Sequence, residues 1–232
     1  MKIAVLGTGT VGQMLAQKLQ SLGHQVFMGT RNVAETRQRT EPDAWGNAGV
    51  GTWLAQNPLV ELLEFDKAVE QADELIVFAM NGSTALASLA MVRPEILNEK
   101  ILIDISNPLD FSKGFPPSLF VCNTESLGEQ IQNAYPQLNV VKTLNTMSNP
   151  IMVNPNLLRG NHSVFMSGNN NDAKSKVGEL LQSFGWRAEN IIDLGDISTA
   201  RGTEMILSIW LRLYGKLQSP MFNFYVNQEA IN

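Results

Sequence analysis

The stretch MKIAVLGTGTVGQMLAQKLQSLGHQVFMGTRN, residues 1–32, decides the fold. Lys2 to Leu6 is a short apolar run with branched residues, the pattern of a strand buried on both faces of a parallel sheet. Val11, Met14, Leu15, Leu19 and Leu22 then recur at helical spacing, and Gly23 stands where a left-handed residue closes a helix. Between strand and helix lie Gly7, Gly9 and Gly12. In this setting the Gly-x-Gly-x-x-Gly spacing is a dinucleotide signal: Gly7 permits the tight turn, Gly9 admits a pyrophosphate to the backbone, and Gly12 lets the helix pack closely on the strand. The N–H groups of Thr10, Val11 and Gly12 then face an anion at the helix N-terminus.

A second strand, Gln25 to Gly29, ends about 20 residues after the glycines, where the adenosine ribose of a dinucleotide lies. An NAD site places a carboxylate there, whereas this chain has Thr30-Arg31-Asn32. A carboxylate would repel a 2′-phosphate and a guanidinium pairs with it. Arg31, helped by the Thr30 hydroxyl, therefore points to NADP(H) rather than NAD(H). The following stretch, Val33 to Asn57, carries Arg37, Arg39, Trp45 and Trp53 and reads as a helix-containing loop near the adenine end, most of it solvated surface.

Composition narrows the class. The 232 residues include 17 Lys+Arg and 22 Asp+Glu for a net charge of −5, with 44% hydrophobic and only 17% charged side chains. Such a chain is globular, and its acidic balance without a basic cluster excludes a nucleic-acid partner. No apolar run reaches the roughly 18 residues of a membrane span and the N-terminus lacks a leader pattern, so a soluble cytoplasmic protein without a membrane partner is expected. A single cysteine, Cys122, and two histidines, His24 and His162, offer no disulfide and no cysteine-built metal site.

Further along, Val60 to Phe65 and Leu75 to Met80 read as strands, with Asp66 capping a brief helix between them. Ile101 to Ile105 is the next central strand. Ligands of doubly wound sheets cross the carboxyl ends of the strands, which nominates Ala79, Met80 and Asn107 as ribose or nicotinamide contacts, although Asn107-Pro108 equally builds a turn. Ser126-x-x-Glu129 is a capping box opening a helix, and Val140 to Leu144 is a further strand. Lys142 and Asn145 have the spacing of a Lys-x-x-Asn pair that assists hydride transfer from alcohols. Such groups converge on one helix face but diverge on a strand, which argues against a catalytic Lys142. Ser148 to Asn161, rich in Asn and Pro, reads as a linker or a loop over the site. A strand, helix and strand follow between His162 and Leu194. The last helix, Thr203 to Leu217, is apolar beyond one stripe, as expected if it packs on two sides or against a second subunit in a homodimer. The expected fold is α/β: a Rossmann-type, doubly wound, mostly parallel sheet. Residues 1–145 form the NADP-binding domain, and 146–232 a small C-terminal extension that builds the acceptor cleft.

Gly7-Thr8-Gly9-Thr10-Val11-Gly12, Gly29-Thr30-Arg31, VVKTLNT (Val140 to Thr146), Asp193-Leu194-Gly195, Ala200-Arg201-Gly202-Thr203-Glu204 and Phe222-Asn223-Phe224 occur in this order. Together they resemble the NADP-dependent oxidoreductases similar to F420-dependent NADP reductase, and also the cytoplasmic reductase domain of six-transmembrane epithelial antigen ferric reductases. The resemblance implies NADPH lying across the strand ends and a flat redox acceptor stacked on its nicotinamide. Thr8 to Val11 would cradle the pyrophosphate, Thr30 and Arg31 the 2′-phosphate, and Ala79, Met80 and Asn107 the ribose or nicotinamide. Thr143 and Asn145 would line the hydride-transfer cleft. Asn145 stands where the deazaflavin enzyme has a nearby histidine, leaving the acceptor open among F420, FMN, FAD and related planar compounds. Two other readings remain: a reductase of small carbonyls or imines, which needs a proton donor over the nicotinamide, and a non-catalytic NADPH sensor.

Overall fold

The computed structural model describes residues 1–43 and 46–229, so Trp45 lies outside the described residues. Strands β1 (Lys2–Leu6), β2 (Gln25–Thr30), β3 (Val60–Glu64), β4 (Leu75–Phe78) and β5 (Ile101–Asp104) are followed by a small hairpin, β6 (Leu109–Asp110) and β7 (Ser118–Leu119). Then come β8 (Asn139–Thr143), β9 (Val164–Gly168) and β10 (Ile191–Asp193). The helices are α1 (Thr10–Ser21), α2 (Val33–Gln38), α3 (Val50–Gln56), α4 (Phe65–Gln71), α5 (Ala85–Leu89), α6 (Pro94–Leu97), α7 (Leu127–Ala134), α8 (Asn149–Val153), α9 (Asn171–Phe184) and α10 (Ala200–Leu217).

Eight strands form one sheet in the order β10-β9-β8-β5-β4-β1-β2-β3. From β3 to β8 every pairing is parallel, which is the Rossmann order with its reversal between β1 and β4. Beyond it, β9 pairs antiparallel with β8 and β10 parallel with β9, so the residues after Asn145 continue the same sheet. Each face of the sheet buries its own apolar cluster. Val5, Met28 and Val77 belong to one, with Leu15 and Leu19 of α1 and Val177 and Leu181 of α9. Ala4, Phe27, Ile76 and Leu102 belong to the other, with Phe65 and Val69 of α4 and Ile131 of α7. Alternate residues of one strand thus enter opposite clusters, as the two-residue strand period requires.

Three local expectations are corrected. Asp66 does not cap α4: the chain enters that helix from Glu64, and the Asp66 carboxylate instead takes the Arg93 N–H at 3.0 Å. The strand expected to reach Met80 stops at Phe78, and Ala79 keeps one last bond to β1, its N–H donating to the Leu6 carbonyl at 2.8 Å. Of the two readings of the Asn/Pro-rich segment, linker or loop over the site, the linker is the one corrected. Pro150 sits in the first turn of α8, a position where its missing N–H costs nothing, and Ile151, Met152 and Val153 are buried.

Candidate active site

The glycine turn is built by close backbone approach. Gly7 has φ +122°, and a Cβ there would lie 2.3 Å from the Ala79 carbonyl oxygen; on Gly12 it would lie 2.2 Å from the Gly7 carbonyl oxygen. A Cβ on Gly9 would meet nothing within 4 Å, so this backbone faces open space. Immediately behind it α1 begins with no side-chain cap and no acidic residue in its first turn. Its first N–H groups and the positive end of its dipole are free for an anion. Gln13 braces the turn by donating Nε2 to the Thr8 carbonyl at 3.0 Å.

At the end of β2, Thr30 is buried and its hydroxyl is 2.7 Å from that of Thr36. Arg31 is exposed. Arg39, which the sequence reading left among the surface residues, donates Nη2 to the Thr8 hydroxyl at 2.7 Å and to the Thr36 hydroxyl at 3.2 Å. The glycine turn and the end of β2 are thereby tied together by a cation. Open space at Gly9, a free helix N-terminus and arginines beside β2 with no carboxylate in ion-pair reach of them among the described residues fit a dinucleotide bearing an extra phosphate.

A cleft of about 910 Å³ runs on from this turn across the strand ends. Thr10, Val11 and Met14 of α1 form one wall, Ala79, Met80, Ile105 and Asn107 the floor, and Met147 to Pro150 and α10 the far side. Asn107 and Asn145 meet on the floor: Asn107 Nδ2 donates to the Asn145 carbonyl at 2.9 Å, and Asn145 Nδ2 to Asn107 Oδ1 at 3.0 Å. Leu144, with φ +62°, turns the chain out of β8 so that Asn145 reaches this partner, a strained conformation for a branched residue that its buried surroundings enforce. Asn107 therefore braces the floor while keeping part of its amide for a ligand.

Thr143 is a correction. Its side chain is fully buried, its hydroxyl donates to the Phe165 carbonyl at 2.7 Å, and it does not line the cleft. It sits where β8 pairs with the antiparallel β9, and its hydroxyl fastens that junction. Lys142 is equally remote from the cleft surface. Its ammonium is buried and reaches Asp104 Oδ2 at 2.7 Å, Glu204 Oε1 at 2.8 Å and the Ser106 carbonyl at 2.7 Å. Burial opposes its charge, but the two carboxylates outweigh burial and raise its pKa. Glu204 also accepts the first N–H groups of α7, from Leu127 at 2.8 Å and Gly128 at 3.0 Å. The Ala-Arg-Gly-Thr-Glu segment thus docks α10 onto both the sheet and α7.

The aromatic wall was not foreseen, because Trp210 reads as one more apolar position of a long helix. Trp210 and Tyr214 line the cleft with ring planes 7° apart and centroids at 5.7 Å, and Phe222 of the returning tail packs against Trp210 with centroids at 5.3 Å. Trp210 Nε1 and Ser148 Oγ, both on cleft-lining residues, are buried without a hydrogen-bond partner among the described residues. Such unpaired polar atoms beside a flat apolar wall suit a planar ligand carrying polar edges.

A family model described as "NADP oxidoreductase coenzyme F420-dependent" matches residues 2–108. A candidate F420-dependent NADP reductase of known structure from Arthrobacter sp. FB24 is 49% identical to this chain, covers 98% of it and 100% of its own length, and superposes with a TM-score of 0.93. This chain belongs to that family. It is an NADP-dependent oxidoreductase. The rat metalloreductase STEAP3 is 28% identical over 208 residues, 88% of this chain, and the chain spans 36% of that protein's length. An imine reductase from Aspergillus terreus shares 15% identity over 94% of this chain and 62% of its own, with a TM-score of 0.58, a likeness of fold alone. Among the described residues of the family member no helix is long and apolar enough to cross a membrane.

Proposed function

We propose that this oxidoreductase passes a hydride between NADP(H) and a flavin-like ring, F420, FMN or FAD, stacked in the cleft against Trp210. One observation carries the reading: among the described residues no Asp, Glu, Lys, Arg or His lines the cleft, and Tyr214 is the one ionisable group there. Reduction of a carbonyl or imine needs a proton donor at the reacting atom, whereas transfer between a nicotinamide and a flavin-like ring requires none in the hydride step. When bound, the nicotinamide supplies the hydride itself.

The chain's part is placement. Thr8 to Gly12 hold the pyrophosphate, Thr30 and Arg31 stand at the 2′-phosphate, and Ala79, Met80 and Asn107 form the floor beneath the ribose and nicotinamide. Asn145 locks Asn107, while Met14, Met147, Met152 and Leu207 exclude water from the meeting point. The exposed Met205, Ile209 and Leu217 on α10 support pairing with a second copy, to be checked by small-angle scattering. The function is tested by following NADPH absorbance with F420, FMN, FAD and small carbonyls as acceptors. Turnover with the flavin-like rings is expected. Turnover with carbonyls alone, abolished by Tyr214→Phe, would overturn the proposal.

A further inference from the structure

We infer that Arg39 is a specificity-determining residue: a guanidinium clamp for the 2′-phosphate that closes the adenosine end of the site and sets the preference for NADP(H) over NAD(H). The inference starts from how firmly this exposed side chain is placed. Its backbone N–H donates to the Thr36 carbonyl at 3.2 Å and its carbonyl accepts from Gly51 at 2.9 Å, so the chain at Arg39 is pinned on both sides. Gly51 makes the approach possible, since a Cβ there would lie 2.2 Å from the Arg37 carbonyl oxygen. From this anchor Nη2 bridges Thr8 on the glycine turn and Thr36, which in turn meets Thr30 at the end of β2.

The bridge spans the two segments between which a dinucleotide of this fold seats its adenosine ribose. Only Nη2 is engaged; Nε and Nη1 have no hydrogen bond to the described residues, and no carboxylate among them pairs with the group. Nε and Nη1, on two different sides of the guanidinium, thus remain as charged donors toward phosphate oxygens. Arg31 has no such placement: it is exposed, and no described residue holds its guanidinium. A cation held before binding loses less conformational freedom on binding, so Arg39 contributes more to selectivity than the nearer residue in sequence.

The test is fluorescence titration of wild type, Arg39→Ala and Arg39→Lys with NADPH and NADH, with 2′,5′-ADP titrated by calorimetry as a probe that lacks nicotinamide. For Arg39→Ala, binding of NADPH and 2′,5′-ADP is expected to weaken roughly 10- to 100-fold while NADH changes less than about threefold. Arg39→Lys, a point charge without the fork, should fall between. Unchanged melting temperatures would accompany these results, because the side chain is exposed. Equal weakening for NADPH and NADH, or none for either, would overturn the clamp. Wild type that binds both cofactors equally would overturn the NADP preference and the clamp together, which separates the two failures.

Discussion

Replacing Lys142 by Met removes the one cation of a buried cluster and leaves two carboxylates facing each other. The ammonium and both partners are at most 1% exposed, so solvent cannot compensate. Asp104 would keep only the Ser106 N–H at 2.9 Å and hydroxyl at 2.6 Å, and Glu204 only the two α7 N–H groups. Breaking a buried ion pair from one side costs about 3–5 kcal/mol, a large part of the roughly 5–15 kcal/mol that holds a domain folded. At about 2.1 cal/mol/K per residue, a chain of this length has an unfolding entropy near 490 cal/mol/K. Each kcal/mol then lowers Tm by about 2 °C, giving a loss of about 6–10 °C at pH 8 in differential scanning calorimetry. Asp104→Asn in the Lys142→Met background should recover part of that loss, because Glu204 retains its N–H donors while the repulsion disappears. A fall of less than about 2 °C in the single variant, or a double variant whose loss is the sum of two single losses, would refute the account of Lys142 as the keystone between sheet and α10.

Trp210→Ala should raise the KM for a flavin-like acceptor about tenfold while leaving the NADPH dissociation constant within a factor of two, since the ring forms the far wall of the cleft; steady-state kinetics and fluorescence titration check both. Gly7→Ala places a Cβ 2.3 Å from the Ala79 carbonyl oxygen at a φ of +122°, so NADPH binding should be lost, or soluble expression with it; calorimetric titration reads the outcome. The pH response of Arg201→Met follows from Glu129. The hydrogen bond from Arg201, stronger in effect than the opposing burial, lowers the Glu129 pKa from its ordinary value of about 4.5. The pair therefore adds stability above that ordinary value, and the contribution fades as pH falls through the lowered one. Because Arg201 is 38% exposed, its removal should lower the urea midpoint slightly at pH 7 and hardly at all at pH 3.

The glycine turn and the sheet were legible because their information is local. Three glycines at fixed offsets and strands with continuous apolar runs state their own geometry, and the reversal between β1 and β4 then places any ligand of the fold. What escaped is carried by contacts between residues far apart in the chain. Arg39 reaches Thr8 across 31 positions, and the α7 N–H of Leu127 reaches Glu204 across 77; neither has a periodic signature. The family resemblance implies a place in the cleft for both Thr143 and Asn145. The left-handed Leu144 separates their fates, sending one hydroxyl into the β8–β9 junction and the next amide onto the floor.

The same geometry bears on the acceptor wall proposed for α10. Only Ala200, Thr203, Glu204 and Leu207 of this 18-residue helix are buried, so its first two turns carry the docking and the rest projects past the sheet. A helix held at one end needs a stiff anchor if Trp210, two turns beyond Glu204, is to stay at stacking distance from a ring on the cleft floor. Lys142 and the α7 N-terminus provide it, gripping Glu204 with one ammonium and two N–H groups. On the proposed function Lys142 lies outside the reaction and holds in place the helix on which the acceptor would stack. Glu204→Gln should accordingly raise the acceptor KM through a loosened α10 while NADPH affinity, set on the opposite wall by α1 and the glycine turn, holds. An unchanged acceptor KM in a variant with a lowered Tm would confine the Lys142–Glu204 pair to stability alone.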